Sequence, residues 1–203
     1  MRFGLLVALV FSLSCGDGRS TSPAAPTGPP PPPILPRGTV TDATGDAATC
    51  CPVIAVAPDL VSGGITITDG GTAILSVRFS PGTFDPNTTT VGFLLDTDQN
   101  AASGGDFTGM GLEYIVDFGS EYFSGFAFIL RYEGFGEYGP YVPAAPVSIV
   151  NNGMEVALPL SLLGGDDGRM NFRVYVQTQV SEDGFTTILD YMPDRGLAAA
   201  RCQ

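Results

Sequence analysis

Residues 172–180 read Phe172-Arg-Val-Tyr-Val-Gln-Thr-Gln-Val180. Phe172, Val174, Val176, Thr178 and Val180 alternate with Arg173, Tyr175, Gln177 and Gln179, a period of two that puts one apolar set on one face of a strand. The same period recurs on both sides of this stretch. Ala73, Leu75, Val77 and Phe79 share a face, as do Val91, Phe93 and Leu95. Leu112, Tyr114, Val116 and Phe118 oppose Glu113 and Asp117, and Met154, Val156 and Leu158 make a shorter run. Ile65 to Thr68 alternates, and Ile188 to Tyr191 reads as the last strand. The run Tyr122 to Tyr132 is apolar on both faces and is expected to be central and covered on both sides. Asp69-Gly70-Gly71 and Asn152-Gly153 are hairpin signals because they tolerate positive φ. Gly164 to Gly168 reads as a tight polar loop, and only Pro159 to Gly164 could form a turn of helix. The expected fold is all-β, an antiparallel two-sheet β-sandwich of the jelly-roll kind, over residues 50–203. A body of about 150 residues buries enough surface, near 70%, to be stable alone.

Composition narrows the chemistry. The 203 residues carry 21 acidic and nine basic side chains, all nine of them Arg, for a formal charge of −12. There is no His, Lys or Trp. Without His there is no Ser-His or Cys-His pair and no imidazole metal ligand. Without Lys there is no Schiff base. A net negative chain is a poor partner for nucleic acid, whose binding is driven by phosphate neutralisation.

The N-terminal residues have another character. Arg2 precedes an apolar run from Phe3 to Leu13, too short for a membrane span, which needs about 20 residues, but of secretory-signal length. It ends Ser12-Leu13-Ser14-Cys15 and resembles a bacterial lipoprotein signal. The resemblance implies a signal peptide over residues 1–14, acylation of Cys15 and a membrane anchor. Gly16 follows Cys15, and by the same resemblance this leans toward the outer membrane or cell surface. Residues 15–49 read as a disordered tether: eight of the chain's 17 prolines lie between Pro23 and Pro36, a composition that favours extended polyproline II. An exported location permits disulfides. A bridge from Cys202 to Cys51, or to its neighbour Cys50, would close a loop of about 150 residues and in theory contribute about 5 kcal/mol.

One loop carries a chemical signal. After Leu95 come Asp96, Asp98 and Asn100 at alternate positions, then Asp106. Calcium takes six to eight oxygen ligands, and such a loop can wrap them round one ion. The expected ligands are Asp96, Asp98, Asn100, the Ala102 carbonyl, Asp106 and, from the next strand, Glu113. It is not an EF-hand, because position six is Ala101 and position twelve is Phe107. The competing reading is a solvated turn, in which Asp and Asn bond to nearby backbone N–H groups.

Asp96-Thr97-Asp98-Gln99-Asn100, Gly111-Leu112-Glu113-Tyr114, Pro159 to Gly164 and Asp190-Tyr191-Met192-Pro193-Asp194-x-Gly196 resemble the DOMON-like and family-9 carbohydrate-binding-module-like sandwiches of exported bacterial proteins. The similarity runs through residues 53–196. It implies a β-sandwich that binds calcium, sugar or haem. The haem branch uses Met and His ligands, so a chain without His is not expected to bind haem. Sugar platforms need exposed aromatic faces, and Tyr132, Phe135, Tyr138 and Tyr141 lie among glycines in a segment expected to be a loop. The opposing reading folds these rings over the core as a lid.

An enzyme would have to work with carboxylates alone. Glycoside hydrolysis needs two of them about 5–10 Å apart. Glu113 and Asp117 are about 13 Å apart along a strand, and Glu133 and Glu137 sit in a soft loop. The resulting expectation is a non-catalytic, membrane-tethered binding module of the bacterial cell envelope, with a structural calcium and a polysaccharide or other envelope component as ligand. The alternatives are an adhesion protein that binds another protein, or a carboxylate glycosidase.

Overall fold

The structure, a computed structural model, describes residues 35, 37–48, 56–107, 109–119, 125–179, 186–194 and 196–203. The signal peptide, Cys15, the proline run, Cys50 and Cys51 lie outside the described residues, as does Val180. The strands are β1 (Arg37–Thr41), β2 (Leu60–Ile67), β3 (Thr72–Phe79), β4 (Thr89–Asp96), β5 (Gly105–Phe107), β6 (Met110–Leu112), β7 (Tyr114–Gly119), β8 (Phe126–Gly134), β9 (Glu137–Tyr138), β10 (Val142–Ile149), β11 (Gly153–Pro159), β12 (Met170–Gln179), β13 (Thr186–Met192) and β14 (Ala200–Cys202). Leu160–Leu163 is a single 3-10 turn ended by Gly164 in the left-handed region. Among the described residues there is no α-helix.

The fold is all-β and sandwich-like, with antiparallel pairing. The strand order is β1-β2-β3-β11-β10-β8-β7-β4-β12-β13, with β9 on β8, β14 on β12, and β5–β6 as a separate small hairpin. The two layers are halves of one hydrogen-bonded sheet that passes from one layer to the other along β10, whose residues 142–146 pair with β8 and 147–149 with β11. The far end is drawn together by β14: Arg37 and Gln203 exchange backbone hydrogen bonds of 3.1 and 3.2 Å. The alternating faces meet in the middle. Leu75 and Val77 of β3 and Val156 of β11 lie on one side, and Phe93, Val116, Phe172 and Val174 on the other, all essentially without exposure. The Phe93 ring stacks with Phe118 at 5.9 Å and Phe172 at 6.1 Å.

Several expectations are corrected. Residues 37–41, placed in the loose tether, form β1, where β-branched Thr39, Val40 and Thr41 pair with β2. β14 follows the strand expected to be last; three residues are too few to show a period. The run from Leu112 to Phe118 is not one strand. It breaks at Glu113, so Tyr114, Val116 and Phe118 enter the main core while Leu112 joins a second cluster with Leu94, Met110 and Tyr175. β8 is not covered on both sides: Ala127 and Ile129 are buried, whereas Phe126 and Arg131 are exposed.

The polar faces of β4, β7 and β12 do not face water. Phe107, Tyr138, Tyr191 and Ala199 pack over them on the second cluster. Gly92 shows why this is sterically feasible. It pairs with Tyr175 on one side and Asp117 on the other. A Cβ on Gly92 would lie 2.1 Å from the Tyr175 ring. With only hydrogen there, the ring crosses Gly92 and its hydroxyl donates to Asp117 Oδ1 at 2.5 Å.

Candidate metal centre

β4 ends at Asp96 because the chain turns away from the ladder there. The Glu113 N–H still reaches the Leu95 carbonyl at 3.0 Å, and the break between β6 and β7 aims the Glu113 side chain at the turning loop. Glu113 Oε2 accepts from the Thr97 N–H at 2.8 Å. Asp96, only 1% exposed, accepts from the Asn100 N–H at 3.1 Å and from Asn171 Nδ2, its cross-strand partner, at 2.9 Å. Asp98 Oδ1 accepts from the same Asn100 N–H at 2.9 Å. Carboxylate oxygens of Asp96, Asp98 and Glu113 lie within 4.8 Å of one another.

Ser103, which the sequence reading passed over, sits in their midst. Its Oγ is 2.9 and 2.8 Å from the two Asp98 oxygens, 3.2 Å from Glu113 Oε1 and 2.8 Å from the Asn100 carbonyl. One hydroxyl carries one proton, so four acceptors compete for a single donor. Burial raises the pKa of Asp96 and of Glu113, and the Asp98 charge raises both further, against the hydrogen bonds that lower them. The group is crowded with oxygen and short of positive charge.

Of the six expected ligands, the structure gathers Asp96, Asp98 and Glu113. Asn100 Oδ1 instead accepts the Ala102 N–H at 3.1 Å, an Asx turn within the loop. Asp106 is an exposed residue of β5, where its Oδ1 accepts from the Gly109 N–H at 3.4 Å, apart from the three carboxylates. Gly111 holds the loop close. A Cβ there would be 2.2 Å from the Asn100 carbonyl oxygen and 2.5 Å from that of Ser103. Both are backbone atoms, so the loop would have to move. Gly111→Ala is expected to cost about 1–3 kcal/mol, seen as a lower melting temperature, whereas Gly70→Ala, with only the Thr68 hydroxyl at 3.8 Å, should leave it nearly unchanged.

Beside the carboxylates lies a cleft of about 350 Å³, lined among others by Asp98, Glu113, Tyr114, Arg131, Tyr132 and Asp166. An adjoining hollow of about 360 Å³ shares Tyr114, Arg131 and Gly164, and Glu133 also lines it. Among the described residues, Arg131 is the single basic side chain in either lining. Arg131 and Ser103 were each legible only as one more polar position, one in a strand and one in a loop.

The four aromatic positions do not form one platform. Tyr132 and Tyr138 meet edge-on at 5.5 Å across the β8–β9 hairpin, a paired element where a loop was expected. Phe135, with φ +55°, stands fully exposed at its tip. Tyr141 packs edge-on against Phe128 at 6.2 Å, and its hydroxyl approaches Asp117 Oδ2 at 3.5 Å. Only Tyr132 lines the cleft next to the acidic group. Cys202 is a buried thiol whose Sγ is 3.8 Å from the Ile65 carbonyl oxygen, and burial pushes its pKa up to about 11. The pairing expected for it rests on Cys51, outside the described residues.

No protein-family model, curated protein or solved structure matches the chain.

Proposed function

We propose that this chain is a non-catalytic binding module displayed outside the cell, held to a membrane by lipid on Cys15 and a proline-rich tether, with a structural calcium in the loop after β4. The supporting observation is the gathering of Asp96, Asp98 and Glu113 within 4.8 Å of one another, with Asp98 and Glu113 sharing one serine hydroxyl. Only hard oxygen donors are present, the ligand set of calcium rather than of a transition metal. The ion would neutralise like charges held within 4.8 Å and join the β4 loop to Glu113. The neighbouring cleft, with polar side chains and the Tyr132 ring, suits a polyhydroxylated ligand such as a glycan of the envelope.

A bound ion stabilises by mass action, about 2.7 kcal/mol at a hundredfold excess over Kd. Chelation should therefore lower the melting temperature, and Asp98→Ala should abolish that part of the response. A chain that melts identically with calcium and with EDTA would count against the ion. Retention of the protein on envelope polysaccharide, lost in a Tyr132→Ala variant, tests the ligand class. A single protein neighbour trapped by crosslinking in the native envelope would favour an adhesion role instead.

A further inference from the structure

A second group of acidic side chains, which the sequence reading did not single out, comes together away from the first. Asp42 and Asp46 follow β1, Asp59 precedes β2, Asp190 lies on β13 and Asp194 just after it. Carboxylate oxygens of Asp46, Asp59 and Asp190 lie within 4.8 Å of one another, and so do those of Asp42, Asp46 and Asp194. Asp46 belongs to both sets. Through β12 the register sets Asp190 opposite Val176 and Asp96 opposite Asn171. The two acidic groups are thus separated by five residues of strand, about 17 Å.

Two oxygens in this second group lack what buried carboxylates need. Asp59 is 4% exposed. Its Oδ2 accepts from the Gly45 N–H at 2.9 Å, while its Oδ1 is buried with no hydrogen-bond donor. Asp42 Oδ1 accepts from Ala43, and its Oδ2 is likewise buried and unpartnered. Asp190, also buried, is satisfied by the N–H groups of Leu60 and Tyr191. Among the described residues, none of the five forms an ion pair. Leaving a buried acceptor unsatisfied costs about 1–3 kcal/mol, more when it is charged. A cation removes that cost. Calcium holds oxygens at about 2.4 Å, so ligands on opposite sides of it are about 4.8 Å apart, the limit within which each set falls.

We propose that Asp42, Asp46, Asp59, Asp190 and Asp194 form a second divalent-cation site of the calcium class, which pins the segment between β1 and β2 to the end of β13. It does not depend on the loop after β4. Its donors are oxygen only, and the partnerless Asp59 oxygen points to an ion rather than to a solvated acidic surface.

The test counts bound calcium per chain. The full chain, purified in detergent and stripped with chelator, is dialysed against about 10 mM calcium, about ten times the weakest Kd of extracellular calcium modules. Asp46→Asn/Asp194→Asn alters two exposed side chains, so the body should stay folded, as circular dichroism would verify. The double variant is expected to bind one calcium fewer than the wild type. An unchanged count overturns the proposal, as does a wild type that binds none. Asp98→Ala, measured in parallel, reports the first site alone, so either site can fail without the other.

Discussion

Replacing Arg173 by methionine should lower the unfolding free energy by about 3–5 kcal/mol. Arg173 has no exposure and projects from the outer face of β12. Its Nη1 donates to the carbonyls of Pro193 and Asp194, and its Nη2 to that of Leu197 at 2.7 Å. Methionine has similar bulk and cannot donate. The segment after β13 would keep three carbonyls turned toward a buried, partnerless space, or swing out to hydrate them. Arg169 provides the contrast: it meets Asp167 at 4.0 Å with both side chains about two-thirds exposed. Exposed pairs of this kind contribute about 0–1 kcal/mol, so Arg169→Met should be nearly silent. Urea unfolding followed by circular dichroism reads both, and equal midpoints for Arg173→Met and wild type would refute the clamp.

The second large effect depends on pH. Asp117 is 3% exposed, and burial, opposed by hydrogen bonds from Tyr175 and Tyr141, raises its pKa from 3.8 to about 6. The charged and titratable neighbours across its face are those two phenols, on β12 and on the segment before β10. Between pH 3.8 and about 6 the folded chain keeps a proton that the unfolded chain has lost. Stability from this group is therefore greatest below 3.8, falls as pH rises, and levels off above 6, a total of about 3 kcal/mol. Asp117→Asn cannot ionise. The unfolding free energy of wild type minus that of Asp117→Asn should fall by about 3 kcal/mol from pH 3 to pH 7. A difference that is flat with pH would show that Asp117 titrates normally.

Legibility in the sequence followed physical range. Ala73 to Phe79 and Phe172 to Thr178 could be read because alternation is local and one face is apolar. The Asn152-Gly153 hairpin was equally readable, although Asn151 is the residue that takes φ +55°. What covers a polar face is not local. Nothing within β4 says that Gly92 lies under the Tyr175 ring, or that Asp117 opposite it loses water. The loop after Leu95 was recognisable as an oxygen-rich turn, and Glu113 as a nearby carboxylate. Ser103 at its centre, and the fate of Asn100 and Asp106, depend on how the loop closes. The second group of aspartates spans positions 42 to 194, so only the pairing of β2 and β13 with their neighbours could assemble it.

The hydrogen bonds between Arg37 and Gln203 have a further consequence. An open sheet presents a raw margin on which another molecule can grow, and proteins often guard that margin with lysine. This chain has no lysine to spend there. Stitching its first described strand to its last narrows that margin at β1 by backbone pairing rather than by surface charge, and leaves β13 as the end of the strand order.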